Sequence, residues 1–547
     1  VSADAAGIAS CEAELDAGDH MITMTASDLD GFTASAEAFF AVIPLSQIDN
    51  DGVYDDVAQL RLDCGALQPG DVLHVQVRVR QTAPLPQLDA AFSAVVSLSS
   101  QFPVDDVVYA VFDERQRPLT FGGQQSVERV AFPMGDVHVV QAQGLPPLTL
   151  PAGAAPWWST AQQVSVSTFS STMKLSSWLH DFVAPQLTLN DELRRLADDL
   201  TAPFADDEDK VRVLLQHVQQ RMRYVGIELG PHGHLPYPVV EVDRRGYGDC
   251  KDKAALLLAM LRHVGVDAEL AFVRTADRGQ LVQPAPALAA YNHAVVHVRS
   301  LQLHLDVTTR HAGMRHLPML NQGASVLYIR PDGVDAAAMS APPTADANRW
   351  TLRARVVVQA DGQADVSGTL DVTGGDVESA ANAFVGDVEH RRLQAVLTAR
   401  IRGLHIREAA VNVDGDGLHV RFSAVTGSYA QRRRGRLLLP GSHLVVDDLP
   451  LLPPSSDGYA RAPRRLGVNV DVVLPAGHQR PQVSSTQLSS EVVSLQRDVV
   501  ATDGGYSVRE QMHTERRHLP RTESLKRVLQ RASALMREQL VSPQGET

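Results

Sequence analysis

The hydrophobic pattern changes its period twice along the 547 residues, and these changes limit the possible folds more than any other feature. Residues 71–80 alternate apolar and polar side chains, as a strand with one buried face does. Residues 206–222 repeat their apolar positions at the spacing of an amphipathic helix. Residues 352–372 return to alternation around Asp361-Gly362, a dipeptide typical of hairpin turns. The pattern predicts an α+β protein with a helical middle between two β-rich regions.

Two connectors rich in proline and small residues divide the chain, at residues 144–156 and 340–348. We therefore expect three regions. The first is an N-terminal β-rich, sandwich-like domain over residues 1–156. A mixed core follows over residues 157–338, and a C-terminal β-rich domain over residues 349–547 ends in a helix.

Composition and charge exclude several classes of protein. The formal net charge of −14 argues against general nucleic-acid binding, which needs a basic field. The longest apolar run, residues 254–261, is too short to cross a bilayer, so we expect no integral membrane segment. Three cysteines exclude a disulfide-rich scaffold. Their odd number fits a hypothesis of one Cys11–Cys64 disulfide and one free thiol in an exported protein.

The segment around Cys250 predicts a reactive thiol at the start of a helix. Asp249 fits the N-cap position, Asp252 completes an acidic capping box, and Gly265 fits the stop after the last turn. Cys250 is then the first helical residue, where free backbone N–H groups stabilise a thiolate, as the adjacent Lys251 and Lys253 also do. The alternative is an inert, buried apolar cysteine.

A histidine and an aspartate downstream are the expected partners of this thiol. His293 opens one predicted strand and Asp306 lies on the next, with Arg299-Ser300 as a two-residue turn between them. That register places His293 directly opposite Asp306, with Cβ atoms about 4.5–5.5 Å apart. The carboxylate would then fix the imidazole tautomer and leave the other ring nitrogen to act as a base for the thiol.

The residues that carry this pattern resemble those of the bacterial transglutaminase-like superfamily, especially members with a β-rich domain before the core. The similar segments are residues 223–228, 247–253, 292–294 and 305–308. The resemblance implies a papain-like core with Cys250 as nucleophile, His293 as base and Asp306 as the orienting acid. It also implies an exported protein. One departure is Val307, which stands where proline often follows the aspartate.

The implied chemistry is acyl transfer to or from protein or peptide amides through a thioester, without a cofactor. The oxyanion would be held by the Cys250 N–H group and a second donor, for which Tyr224 and Tyr247 are weak candidates. Water as acceptor gives a hydrolase or peptidase, and a lysine amine gives a crosslinking transglutaminase; the residues do not choose between them. The alternative is a catalytically silent envelope or surface binding protein that keeps the core as a scaffold.

Two weaker patterns are assigned to structure rather than to metal binding. Residues 49–55 resemble a calcium loop, but Ala58 stands where the bidentate acid of an EF-hand belongs, so a solvated turn is favoured. The core also carries several histidines, of which His297 shares a strand face with His293, but none completes a recognised metal-ligand spacing. We therefore predict no metal site.

Overall fold

The computed structural model describes the chain as two compact units, residues 1–91 and 92–547. It describes strand backbones only before residue 91, and it describes the rest of the chain with these gaps: 227–229, 282–283, 335–336, 339–344, 416, 435, 451–457, 460–462, 516–517 and 544–547. The calcium-like segment, the side chain of Cys11 and residue Cys64 lie outside the described residues.

The first unit contains six described strands. They are β1 (Ser2–Ala3), β2 (Ala9–Glu14), β3 (His20–Ser27), β4 (Phe39–Pro44), β5 (Ala58–Asp63) and β6 (His74–Gln81). Four of them form an antiparallel sheet in the order β1-β2-β3-β6, and β4 pairs with β5. The strand predicted over residues 71–80 is confirmed as β6.

The second unit begins with two antiparallel, three-stranded sheets. Their strands are β7 (Ser93–Ser97), β8 (Val104–Phe112), β9 (Thr120–Gly123), β10 (Glu128–Phe132), β11 (Gly135–Leu145) and β12 (Gln163–Ser167). The sheet orders are β7-β12-β9 and β10-β11-β8, around a small apolar cluster that includes Val140 and Val164. The sandwich-like arrangement and the three domain boundaries stay predictions.

The described residues of the middle region contain six α-helices. They are α1 (Trp157–Thr160), α2 (Thr172–Val183), α3 (Asp191–Thr201), α4 (Asp207–Arg221), α5 (Val239–Arg245) and α6 (Cys250–His263). The Oδ1 atom of Asn190 accepts a hydrogen bond from the Leu193 N–H at 2.9 Å, which confirms the predicted N-cap of α3. Helix α6 is buried almost throughout, as its apolar sequence predicts.

A five-stranded sheet packs against α6. Its strands are β15 (Ala268–Arg274), β16 (His293–Val298), β17 (Leu303–Leu305), β18 (Ser325–Tyr328) and β19 (Ala337–Ala338), in the antiparallel order β17-β16-β15-β18-β19. Ala294, Val296 and Val298 of β16 face the helical core. Strand β13 (Arg223–Tyr224) pairs in parallel with β14 (Tyr247–Gly248), and β14 directly precedes α6. The packing thus brings the strand that starts at His293 against the helix that starts at Cys250.

The C-terminal region is dominated by an eight-stranded sheet in the order β22-β23-β21-β20-β27-β30-β29-β28. Its pairs are antiparallel except β20 with β27. The strands of the region are β20 (Arg349–Val358), β21 (Ala364–Thr373), β22 (Leu404–Asp414), β23 (Gly417–Thr426), β24 (Gln431–Arg433), β25 (Arg436–Pro440), β26 (Gly458–Tyr459), β27 (Arg464–Val473), β28 (Ser484–Ser489), β29 (Val493–Thr502), β30 (Gly505–Thr514), β31 (His518–Leu519) and β32 (Gln539–Pro543).

Three helices, α7 (Val377–Phe384), α8 (Arg391–Arg400) and α9 (Glu523–Leu535), accompany this sheet and contribute to its apolar core. Helices α7 and α8 are separate, because Gly386 and His390 between them both have positive φ and interrupt the helical pattern of residues 377–402. The helix predicted near the end of the chain is α9, and the chain continues after it into β32, which pairs with β25. Among the described residues, no helix is long and apolar enough to span a bilayer.

Candidate active site

Cys250 is the first residue of α6, and the predicted capping box holds it there. Asp249 accepts hydrogen bonds from the N–H groups of Lys251 at 3.1 Å and Asp252 at 3.2 Å. Asp252 in turn accepts one from the Asp249 N–H group at 3.2 Å. Gly248 permits this packing, because a Cβ atom there would lie 2.6 Å from the Asp252 Cβ atom. The thiol position is therefore fixed by backbone contacts on both sides.

The charged side chains next to Cys250 in sequence are buried rather than solvated. Asp249, Lys251, Asp252 and Lys253 are each at most 3% exposed. Lys251 forms an ion pair with the N-cap residue Asp249, so its charge is compensated there and does little to stabilise a Cys250 thiolate. Burial, followed by the charge of Asp249, raises the pKa of Asp252 to about 6. The helix start is thus a preorganised, largely dehydrated charge network.

His293 and Asp306 meet as the sequence predicts, but their strands pair in a different register. The imidazole Nε2 atom lies 3.0 Å from the Asp306 Oδ2 atom. The predicted register is wrong, because Val298 pairs with Leu303 instead of Leu301 and Asp306 follows the last residue of β17. The shift is two residues, an even number, so each side chain keeps its face of the sheet.

A longer turn explains the register. Residues 299–302 form the loop, so the two-residue turn predicted at Arg299-Ser300 does not form. Gln302 in this loop has a positive φ of 53°. Arg299 also pairs with Asp267 on the loop before β15, which lies far from it in sequence. A contact of this kind leaves no local signal in the sequence.

The electrostatics of the pair favour a charged imidazole beside a charged carboxylate. Burial alone would lower the pKa of His293, but the Asp306 charge, the hydrogen bond to Asp306 and a hydrogen bond with Cys250 raise it well above its usual value. Burial would likewise raise the pKa of Asp306, but His293 and Thr308 lower it. Because Nε2 is engaged by Asp306, Nδ1 is the ring nitrogen left for the thiol. The structure thus brings Cys250, His293 and Asp306 together.

Two residues that the sequence analysis missed hold the Asp306 carboxylate. Thr308 donates to Oδ1 through its N–H group at 2.9 Å and its hydroxyl at 2.6 Å. Asn321 donates to Oδ2 through Nδ2 at 2.6 Å. The Asp-x-Thr spacing is a recognisable turn signal that could have identified Thr308, and the turn forms with Val307 in place of proline. Asn321 has no such signal.

The C-terminal region contacts the loop that follows Asp306 through Glu378 of α7. Its carboxylate accepts the N–H groups of Arg310 at 2.9 Å, His311 at 2.7 Å and Ala312 at 3.0 Å. Burial lowers the pKa of Lys253 to about 8 against the opposing charges of Asp306 and Glu378. A carboxylate from the C-terminal region therefore helps to fix the loop that follows Asp306.

The two tyrosines predicted as weak oxyanion donors lie on the strands before α6. Tyr224 pairs with Gly248 in the β13–β14 ladder and is 46% exposed, and Tyr247 is half-buried on β14. Asp249 accepts the N–H groups of residues 251 and 252 but not that of Cys250. The oxyanion roles of the tyrosines stay predictions. Among the described residues, no group of three or more histidine, cysteine, aspartate or glutamate side chains could hold a metal ion.

Comparisons with solved structures show a similarity in fold. The chain is similar in fold to a protein from Parabacteroides distasonis described as a "putative protease", with a TM-score of 0.63 and 14% identity over 98% of this chain and 91% of that one. A structure from Cytophaga hutchinsonii described as a "putative cysteine protease" has a TM-score of 0.20 and 14% identity, covering 46% of this chain and 88% of its own. A search of curated proteins finds no significant match.

A family model supplies the remaining comparison. Residues 194–305 match the transglutaminase-like superfamily, a segment that contains Cys250 and His293 and ends one residue before Asp306. The match confirms the resemblance found in the sequence. Residues 194–305 of this chain are a transglutaminase-like domain.

Proposed function

We propose that this protein is a cysteine-dependent amide hydrolase of the peptidase type, acting on protein or peptide substrates through a thioester. The observation that carries the proposal is the position of His293, which lies beside the Cys250 thiol and has its Nε2 atom 3.0 Å from Asp306 Oδ2. The fold similarity to the protein described as a "putative protease" supports the same conclusion. Export of the protein, which the family resemblance implies, belongs to this proposal.

Each residue of the series has a defined task. The Cys250 thiolate attacks the amide carbonyl carbon, and the oxygen becomes an oxyanion beside the Cys250 N–H group. The protonated His293 gives its proton to the leaving amine as the carbon–nitrogen bond breaks, which leaves a thioester on Cys250. Water then loses one proton to His293 and cleaves the thioester to the thiolate and a carboxylic acid, which gives its remaining proton to solvent. Asp306 keeps the imidazole oriented and stabilises its charge throughout.

The test is an amide-substrate screen with the wild-type chain and the Cys250→Ala and Cys250→Ser variants. We expect wild type to cleave members of a mixed peptide pool and both variants to lose roughly a thousandfold or more in rate. Adding a primary amine distinguishes the acceptors, because a crosslinking transglutaminase would incorporate the amine into the product. Cleavage that persists in both variants would contradict the proposal.

One observation favours the second candidate, a silent binding protein built on the same core. Cys250 is only 5% exposed, so access to its sulfur is narrow in the described structure. Under this hypothesis no peptide pool is turned over, and wild type and Cys250→Ala bind the same envelope components with equal affinity. Any turnover that depends on Cys250 excludes it.

A further inference from the structure

The solvent-facing side of the eight-stranded sheet carries a groove that the proposed reaction does not use. It has a volume of about 970 Å³ and lies over β20–β23, β27 and β30. We call it the arginine groove, because its charged side chains are four arginines and two acids: Arg353, Arg355, Arg421, Arg509, Glu408 and Asp471. In a chain of net charge −14, this surface has a local excess of positive charge.

Three of the arginines stand in one line across the strands. In the sheet register, Thr369 lies between Arg421 and Arg353. Asn469 lies between Arg353 and Arg509 in the same way. Because neighbouring strands are about 4.8 Å apart, successive arginines in the line are separated by about 10 Å. The short polar residues between them form the floor of the groove.

Most of these guanidinium groups form no ion pair within the described residues, although the sheet register places Asp471 opposite Arg355 and Asp498 opposite Arg509. Arg353 forms an ion pair with Asp371 at 2.8 Å. For Arg355, Arg421 and Arg509, the part of the chain that the structure describes provides neither a hydrogen-bond acceptor nor an ion-pair partner for the side chain. On the opposite face of the same sheet, apolar side chains form a dry core with the helices. The charged face is therefore available to an external ligand.

The charges in the arginine groove select a class of ligand. Guanidinium groups bind carboxylates in a bidentate way, so acidic groups are the natural partners. Glu408 and Asp471 in the same groove would repel a uniform polyanion, whereas they can accept hydrogen bonds from peptide N–H groups. In a polyproline II segment the rise is about 3.1 Å per residue with three residues per turn, so every third side chain recurs on one side after about 9 Å.

We propose that the arginine groove binds an extended peptide that carries an acidic side chain at every third position. The three-residue repeat matches the spacing of the line formed by Arg421, Arg353 and Arg509. This binding site does not depend on the proposed catalytic function, since it lies on a different sheet and uses none of the residues around Cys250.

The experiment measures binding of fluorescent peptides to the full chain by anisotropy. One peptide has glutamate at every third position, a second has the same composition with adjacent glutamates, and a third has lysine in place of each glutamate. We expect the first to bind about fivefold more tightly than the second, and the third not to bind, because only the first aligns its carboxylates with the arginines. Equal binding of the first two peptides, or no binding of the first, would overturn the proposal.

Matched arginine variants locate the binding site. The double variant Arg421→Ser/Arg509→Ser should weaken binding of the first peptide about a hundredfold. The control Arg194→Ser/Arg391→Ser removes the same charge from exposed helical positions outside the groove and should change affinity less than about twofold. Equal losses in both double variants would indicate nonspecific charge attraction. Tighter binding of a linear polyuronate than of the first peptide would assign the groove to an anionic glycan and contradict the peptide proposal.

Discussion

Strand β16 carries two histidines four positions apart, and each contacts a carboxylate. His293 Nε2 lies 3.0 Å from Asp306 Oδ2, and His297 Nδ1 lies 2.8 Å from Glu269 Oε1. The pairs resemble each other in distance and burial but differ in their neighbours. His293 has the Cys250 thiol beside it, whereas His297 stacks on His304 with ring centroids 4.6 Å apart.

The carboxylates differ as well. Glu269 is bound by the Arg330 guanidinium through both oxygens. Burial would raise the pKa of Glu269, but the hydrogen bonds from Arg330 and His297 lower it to about 2. Asp306 is held by Thr308 and Asn321, which are neutral donors, so its charge remains directed at the imidazole. Under the proposed function, the two pairs differ in the thiol that lies beside His293 and in the Arg330 guanidinium that binds Glu269, whereas the described hydrogen-bond donors to Asp306, apart from His293, are neutral.

The largest contrast is expected from replacing each histidine with glutamine. His293→Gln should reduce the amide-cleavage rate about 10²–10⁴-fold, because the thiol loses its base. His297→Gln should leave the rate within a few-fold and lower the free energy of unfolding by about 1–3 kcal/mol, because Glu269 loses a buried hydrogen-bond donor. Rates and denaturant unfolding of both variants test this. A similar rate loss in both variants would contradict the claim that only the His293–Asp306 pair takes part in the reaction.

The carboxylates provide the next contrast. Asp306→Asn should lower the turnover rate by about ten- to a hundredfold, because an amide cannot stabilise the imidazolium as a carboxylate does. Glu269→Gln should leave turnover unchanged but destabilise the fold by about 1–3 kcal/mol, since Arg330 and His297 both lose a charged acceptor. The measurement is kcat beside the unfolding midpoint. Wild-type turnover in Asp306→Asn would show that orientation of His293 does not need the charge.

Glu378 accepts N–H groups of the loop that follows Asp306, so it supports the His293–Asp306 pair rather than the His297–Glu269 pair. Glu378→Gln replaces one acceptor oxygen with a donor that faces backbone N–H groups, so we expect kcat to fall by about three- to tenfold with little change in KM. Glu389→Gln, an exposed change on the same segment, is the control. Restored kcat in Glu378→Asp would support a positioning role, whereas a fall in KM equal to the fall in kcat would oppose it.

The smallest expected effect is on the stability of the protein at acidic pH, through His304, which stacks on His297. Burial, followed by the charge of His297, lowers the pKa of His304 to about 4. In the unfolded chain, His304 has an ordinary histidine pKa of about 6.5. Its neutral form therefore contributes to folding stability above that pH, and this contribution is lost as the pH falls from about 6.5 toward 4. We expect the unfolding temperature of His304→Gln to depend less on pH across this window than that of wild type. Parallel curves would contradict the assignment.

Local sequence signals predicted the parts of the site that local contacts build. Asp249 and Asp252 are three residues apart and determine the start of α6, and Asn190 caps α3 in the same way. The β16–β17 register was mispredicted because Gln302 adopts a positive φ in a longer turn. Glu378 was missed because it is 68 residues from the Arg310 N–H group that it accepts, so only the folded chain brings them together.

The central claim is that His293 keeps the Cys250 sulfur ready to react, and the rate of iodoacetamide labelling against pH tests it most directly. Labelling is followed on the Cys250 peptide by mass spectrometry, so that Cys11 and Cys64 do not interfere. We predict fast labelling of the native wild-type chain at a pH where free cysteine reacts slowly, and a return toward the free-cysteine profile in His293→Gln but not in His297→Gln. A wild-type profile identical to that of free cysteine, unchanged by His293→Gln, would contradict the account.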